Sequence, residues 1–365
     1  MDFRTAIVLP PREGFSVGSA GAIALLVRGM AGPRDVVLGR AEAAPFAGVA
    51  YRAVRPSWFP GRLGWRYARG VAAVVRGGGI GLVEVHNRPD VALFLARRCP
   101  ALPVMLFLHN DPQGMRGARS AGERGRLVRR LARVVCVSEH IKGRFVAGGV
   151  GGEVAVLENF IDVDAMPDGV ARGDVILFAG RVVADKGADA FVAACALALP
   201  ELPGWRAEMI GADRFGADSP ETTWLAALRP RAAAAGVAMR GYQPHGAVLR
   251  AMAGAAMVVV PSRWAEPFGM TALEAMAAGA ALIASDRGGL REVIGDAAVV
   301  IDPEDEAAIA AAMVALARDP ARRAGLAALG LARARRFDIG VARARLAQLR
   351  SDVRAAWPNG GRHPI

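Results

Sequence analysis

Two stretches of this 365-residue chain set charged side chains beside glycines in the way that binding a phosphorylated ligand requires. The first is Phe178-Ala179-Gly180-Arg181 followed by Ala184-Asp185-Lys186-Gly187. An apolar run over 175–179 predicts a strand before it, and Ala188–Leu199 predicts a helix after it. In an open α/β sheet that turn lies at the carboxyl edge, where ligands bind. Gly180 and Gly187 allow close approach of the backbone. Arg181 and Lys186 place two cations beside a helix N-terminus, which suits a pyrophosphate. The chain has 46 basic residues, and only Lys142 and Lys186 are lysines. So strong a skew reflects composition, so most arginines call for no individual explanation. A lysine in this loop supplies a compact point charge instead.

The second stretch runs from Pro261 to Gly279, Pro-Ser-Arg-Trp-Ala-Glu-Pro-Phe-Gly-Met-Thr-Ala-Leu-Glu-Ala-Met-Ala-Ala-Gly. A strand is expected over 257–260, then a loop carrying Glu266, then a helix opened by Gly269 and stopped by Gly279. Inside that helix Glu274 shares a side with Met270, four residues earlier. A carboxylate among Ala and Met is costly without a partner, and sugar hydroxyls are donors that satisfy one. The amides of Gly269, Met270 and Thr271 form the positive end of the helix.

Around these loops the chain repeats strand, glycine-rich turn and helix. Apolar runs at 6–9, 82–85, 104–108, 134–137 and 154–157 form one series, and runs at 175–179, 207–210, 257–260, 280–284 and 298–301 form another. Continuous apolar strands alternating with helices imply parallel sheets covered on both faces, here as two doubly wound α/β domains in tandem. The turn residues Met166-Pro167-Asp168-Gly169 mark the break. The expected domains are 1–165 and 170–349, with a helical tail over 341–357 placed to pack back and residues 350–365 assigned to the first domain.

The run Glu-Pro-Phe-Gly-x-Thr-x-Leu-Glu-Ala-Met-Ala-x-Gly, with Phe-Ala-Gly-Arg-x4-Lys-Gly about 85 residues upstream, resembles the retaining glycosyltransferases of family GT4. Asn159-Phe160-Ile161-Asp162 stands where that family often carries Asn-Gly-Ile-Asp. The resemblance spans nearly the whole chain and implies the GT-B architecture: two Rossmann-like domains with the active site in the cleft between them. It implies that Arg181 and Lys186 hold the donor's diphosphate, that Glu266 meets the donor sugar, and that Glu274 meets the nucleotide ribose. It assigns Gly180, Phe268, Gly269, Met270 and Thr271 to sugar and phosphate, and Gly241 and Tyr242 to the neighbourhood of the base. In the first domain it points to Gly18, in the glycine loop after the first strand, where the family often has a Gly-Gly pair and this chain has Val17-Gly18. His109, at the end of the strand over 104–108, matches a family histidine facing the donor sugar, with Asp111 as its candidate orienter. His86 and Asn87, at another strand end, are expected on the acceptor side. His140, His245 and His363 have no supporting neighbours in sequence.

Composition bounds the rest. With 53% hydrophobic and 22% charged residues the chain has ample material for two cores. A net charge of +12 raises nucleic acid as a partner, yet the surplus is uneven: residues 1–170 carry 23 basic and 14 acidic side chains, and the remainder 23 and 20. Between Ala43 and Val83 there are six arginines and no acid, interleaved with Tyr51, Trp58, Phe59, Trp65 and Tyr67. That pattern suits an anionic membrane surface; it would also suit RNA, but no RNA-binding motif is in sight and no nucleic-acid partner is expected. Cys99, Cys136 and Cys195 are far apart and read as buried thiols of a reducing compartment. No signal segment or membrane span is expected, which suggests a cytoplasmic protein, peripheral on the inner face of the membrane. Asp162-Val163-Asp164 mimics a metal-binding Asp-x-Asp but falls at the hinge, and neither a P-loop nor a zinc motif occurs. No metal or cofactor is therefore expected beyond a nucleotide-sugar co-substrate, with a glycan or lipid-linked acceptor. The alternatives are a nucleotide-sugar 2-epimerase and a non-catalytic assembly or coat protein of the same fold.

Overall fold

The computed structural model describes residues 4–58, 63–213 and 221–357; Phe59 and His363 lie outside them. The chain divides into two compact units, Met1–Phe160 with Ile339–Ile365, and Ile161–Asp338. The first holds β1 (Arg4–Val8), β2 (Val36–Gly39), β3 (Ala50–Ala53), β4 (Ile80–His86), β5 (Val104–Leu108), β6 (Arg133–Cys136) and β7 (Val154–Val156). These pair in parallel in the order β3-β2-β1-β4-β5-β6-β7. The second holds β8 (Gly173–Ala179), β9 (Arg206–Ile210), β10 (Val237–Met239), β11 (Ala255–Val260), β12 (Ala281–Ala284) and β13 (Val299–Val300), ordered β10-β9-β8-β11-β12-β13 and again parallel. Helices follow the strands in the doubly wound pattern expected of continuous apolar strands. Each sheet therefore reverses its winding once, between β1 and β4 in one unit and between β8 and β11 in the other.

Division of the chain differs from the sequence expectation at its C-terminal end. The tail forms one uninterrupted helix, Ile339–Ala355, which joins the first unit from its first residue rather than from 350. Ala342, Leu346 and Val353 pack with Leu26, Met30, Leu82 and Phe107 in one core cluster. Arg350 pins the helix to the sheet. Its guanidinium grips Glu84 of β4 through two bonds of 2.7 and 2.9 Å and reaches Asp35 at 2.9 Å. Both carboxylates are buried, and they hold the Arg350 pKa above its usual value against the pull of burial. A buried triad of this kind costs desolvation but is strongly destabilising to break from one side. Cys99, Cys136 and Cys195 are all buried, and burial pushes the Cys136 thiol up to about 12. Among the described residues, no helix is long and apolar enough to cross a membrane.

Candidate functional site

The reversal between β8 and β11 brings the two motif stretches together. Gly180 leaves β8 with φ 147°, its amide bonded to Ile210 O, and a Cβ on neighbouring Gly211 would strike Gly180 O. The chain then turns over Ala184–Lys186 into Gly187, which is left-handed (φ 69°) and caps the helix Ala188–Ala198. A side chain at Gly187 would collide with the carbonyl of Pro261. That close passage lets Arg263 and Trp264 amides donate to Asp185 O at 2.9 and 3.0 Å, stitching the lysine loop to the glutamate loop. Arg263 adds an ion pair to Asp189.

Lys186 and Glu266 meet inside this seam. Lys186 Nζ lies 2.5 Å from Glu266 Oε1, which also accepts from the buried Ser262 hydroxyl at 2.8 Å. The lysine is thus not a bare cation beside the helix start: one carboxylate oxygen already answers it. Among the described residues, the side-chain bonds found to the Glu266 carboxylate all fall on Oε1 rather than Oε2. Glu266 is fixed from behind as well, since its carbonyl accepts from Gly289 N at 2.7 Å. Phe268 is buried edge-on against Phe337 at 5.6 Å, so its side chain anchors the loop and only its backbone can meet a ligand. Gly269 caps the helix Met270–Ala277 in the left-handed region (φ 113°). Ala272 and Leu273 donate to Gly269 O, leaving the amides of Met270 and Thr271 as outward donors at the positive end. Gly241 (φ 65°) receives the Gly211 amide through its carbonyl, which sets the half-buried Tyr242 on the third loop of this edge.

Glu274 has a partner that sequence reasoning missed. His245 Nε2 lies 2.8 Å from Glu274 Oε1, and this bond raises the His245 pKa despite partial burial. The residues are 29 apart and on different helices, so no local spacing signals the pair.

In the first unit, His86 and His109 end the adjacent strands β4 and β5 and bond to each other, Nδ1 to Nε2, at 2.8 Å. His86 also stacks on Phe107, with ring centroids 4.8 Å apart. Burial drives His109 down to about 4; burial, then His109 and Arg350, drive His86 well below its usual value. Both rings are therefore neutral at physiological pH. The outer atoms, His86 Nε2 and His109 Nδ1, are buried with no hydrogen-bond partner among the described residues. Whichever ring donates, one outer nitrogen carries a hydrogen and the other a lone pair. Asn87, left-handed at φ 54°, accepts the His109 amide on Oδ1 at 2.8 Å and so fixes the strand end.

Asp111 does not orient His109. One of its oxygens accepts from Gln113 N and the other bonds Arg144 at 2.9 Å, because a 3-10 turn directly after the strand takes it away from the ring. Histidines ending two neighbouring strands were the available signal for His86 in that role. The loop of Gly18 (φ 84°) is held by acids: Glu42 accepts from Ser16 and from Phe15 N, and Glu13 accepts the Ala24 amide at the start of the following helix. Asp162 of the Asp-x-Asp accepts from Ala165 N in a local turn, and among the described residues no three His, Cys, Asp or Glu side chains cluster to hold a metal.

Comparison with known proteins gives two family matches, Glycosyltransferase Family 4 over residues 31–165 and Glycosyl transferases group 1 over residues 170–329. The D-inositol 3-phosphate glycosyltransferase of Thermobispora bispora is 32% identical over 50% of this chain and 44% of its own. The lipopolysaccharide core biosynthesis mannosyltransferase LpsB of Rhizobium meliloti is 34% identical over 42% and 44%. The chain thus spans less than half the length of these curated relatives. Among solved structures, sucrose-phosphate synthase from Thermosynechococcus elongatus aligns over 97% of this chain and 100% of that one with TM-score 0.78 at 18% identity. Anabaena HepE in complex with UDP-glucose aligns over 95% and 99% with TM-score 0.74 at 20% identity. The chain thus carries a Glycosyltransferase Family 4 domain followed by a Glycosyl transferases group 1 domain, and has the GT-B fold.

Proposed function

We propose that the chain is a retaining, metal-independent glycosyltransferase. It moves a hexose-type sugar from a nucleoside diphosphate sugar to a hydroxyl of a glycan or lipid-linked acceptor in cell-envelope polysaccharide or lipopolysaccharide synthesis. The observation that carries this reading is the Lys186–Glu266–Ser262 cluster beside the open helix start at Met270, at the winding reversal of the second sheet. A lysine with spare N–H groups and an adjacent helix dipole suit a diphosphate, and Glu266 Oε2 suits a sugar hydroxyl. Arg181, on the same loop, adds the second cation. Glu274 takes the ribose, and Gly241 and Tyr242 flank the base. The family resemblance also assigns His109 to the donor sugar, and His86 and Asn87 to the acceptor side. The relationship to LpsB supports an envelope acceptor, and the UDP-glucose complex of HepE supports a nucleotide-sugar donor.

In the reaction the bond from anomeric carbon to phosphate oxygen breaks, and its electron pair stays with the nucleoside diphosphate. Arg181, Lys186 and the helix start meet that charge, arranged before reaction. The acceptor hydroxyl attacks the same face of the sugar, and its proton passes to the departing phosphate oxygen. Release of nucleoside diphosphate from a panel of donors, with the product anomer read by NMR, tests this. Transfer with an α-linked product supports it; an inverted product, or epimerised donor without transfer, overturns it.

The same reading places the enzyme on an anionic membrane. Trp58 is 82% exposed and Trp65 56%, on a stretch where Arg52, Arg55 and Arg69 are also exposed. Such a surface suits phospholipid headgroups and the interface beneath them. Flotation with anionic but not neutral liposomes is the expected result, and equal weak binding to both counts against it.

A further inference from the structure

The geometry points to His245 as a positioning residue that fixes which oxygen of Glu274 meets the ribose, and so sets the enzyme's discrimination for a ribose with free hydroxyls. This rests on the donor-site reading above. Glu274 sits on the helix Met270–Ala277, where Ala272, Leu273, Ala275, Met276 and Ala277 are all buried. Among the described residues, the side-chain partner found for its carboxylate is His245. His245, first residue of the helix His245–Gly254, closes on Oε1 alone at 2.8 Å. Oε2 is thereby left with both lone pairs, held in one place to accept from paired hydroxyls. Holding a group before the ligand arrives removes the entropy cost of ordering it on binding.

The elements packed on the helix of His245 are Met270–Ala277, β8 and β11. Their titratable side chains are Glu274 and, on β8, Asp174 at the opposite edge of the sheet; β11 has none. On its own helix the one other charge is Arg250, five residues on. The His245–Glu274 bond is accordingly the interaction that raises its pKa most.

The test compares affinities of the whole chain for UDP, GDP and ADP with those for their 2′,3′-dideoxy counterparts, by calorimetry. The wild type is expected to prefer the ribose form of its nucleotide by tenfold or more. His245→Ala shrinks that preference to about threefold or less, while affinity for the dideoxy form stays put. His245→Gln, which keeps an N–H at similar reach, restores most of it. A ribose preference unchanged in His245→Ala overturns the positioning role and leaves the donor site standing. An equal loss for both nucleotide forms marks a merely structural residue and overturns it too. A wild type without any ribose preference overturns the ribose role of Glu274 itself, and a wild type that binds none of the three overturns the donor site.

Discussion

The reversal of strand order between β8 and β11 is furnished with charge, while the equivalent reversal between β1 and β4 opens beside neutral rings. At the first, Lys186, Glu266 and Ser262 share one hydrogen-bonded knot that still has donors and an acceptor to spare. At the second, β4 ends in His86, locked to His109 and too deeply buried to carry charge. Nearby helix starts differ as well. Met270 and Thr271 offer open amides, whereas the helix after β1 has its Ala24 amide bonded to Glu13. One topology therefore supplies an address in both units, and the side chains decide what is received there. The first reversal keeps charge within reach of its loops, and the second encloses a neutral histidine pair.

This contrast can be broken from either side. The largest effect is expected from Arg350→Ala, which strands Glu84 and Asp35 as buried carboxylates and removes about 3–5 kcal/mol. Denaturant unfolding should register it, with the nucleotide affinity of the second unit's site kept in whatever protein remains folded. Next comes Lys186→Ala, expected to lower transfer by about 10²–10³-fold through loss of one preorganised contact to developing charge. Circular dichroism should be unchanged, and turnover near wild type would remove the lysine from the mechanism. Gly187→Ala forces a side chain into a left-handed turn and onto Pro261 O. A cost of about 1–3 kcal/mol in stability is expected, together with a fall in activity as the two loops part.

The effect spread most gradually over conditions is a pH slope to which the histidine pair contributes. An unfolded histidine binds its proton near 6.5, while His109 in the folded chain does so only near 4. Between those values the unfolded state holds more protons, so stability is full above about 6.5 and declines as the pH falls towards 4. His109→Gln should flatten part of that decline in thermal unfolding measured from pH 7 to 4, and an identical slope in wild type and variant would contradict the assigned burial.

How much of this was legible in the sequence follows from how local each signal is. The run over 104–108 became β5 with the same bounds, because strand, glycine and helix each write their own short pattern, whereas the meeting of the lysine and glutamate loops was implied only by the family resemblance. β3 and β10 were missed: both are edge strands, three or four residues long, and half-exposed positions in β3 break the apolar run. β2, with three apolar residues before Gly39, was too short to stand out. The side-chain pairings were the least legible. Lys186 looked like a free cation because its carboxylate lies 80 residues on, and His245 looked isolated because its partner sits on another helix. Asp111 misled for the opposite reason: two residues from His109 in sequence, it is drawn into a tight turn.

The Arg350 clasp carries a consequence for how the protein is made. The second unit is an insertion inside the first, complete by Asp338, while the first waits for a helix that emerges from the ribosome after it. Glu84 and Asp35 are separated from their cation by 266 and 315 residues. At about 5–20 residues per second, the seven-stranded sheet spends on the order of tens of seconds with two acids and an apolar face uncovered. The nascent first unit, rather than the one bearing the lysine loop, is therefore where chaperone binding should concentrate, and a stall before residue 350 should leave it the less protected of the two against proteolysis.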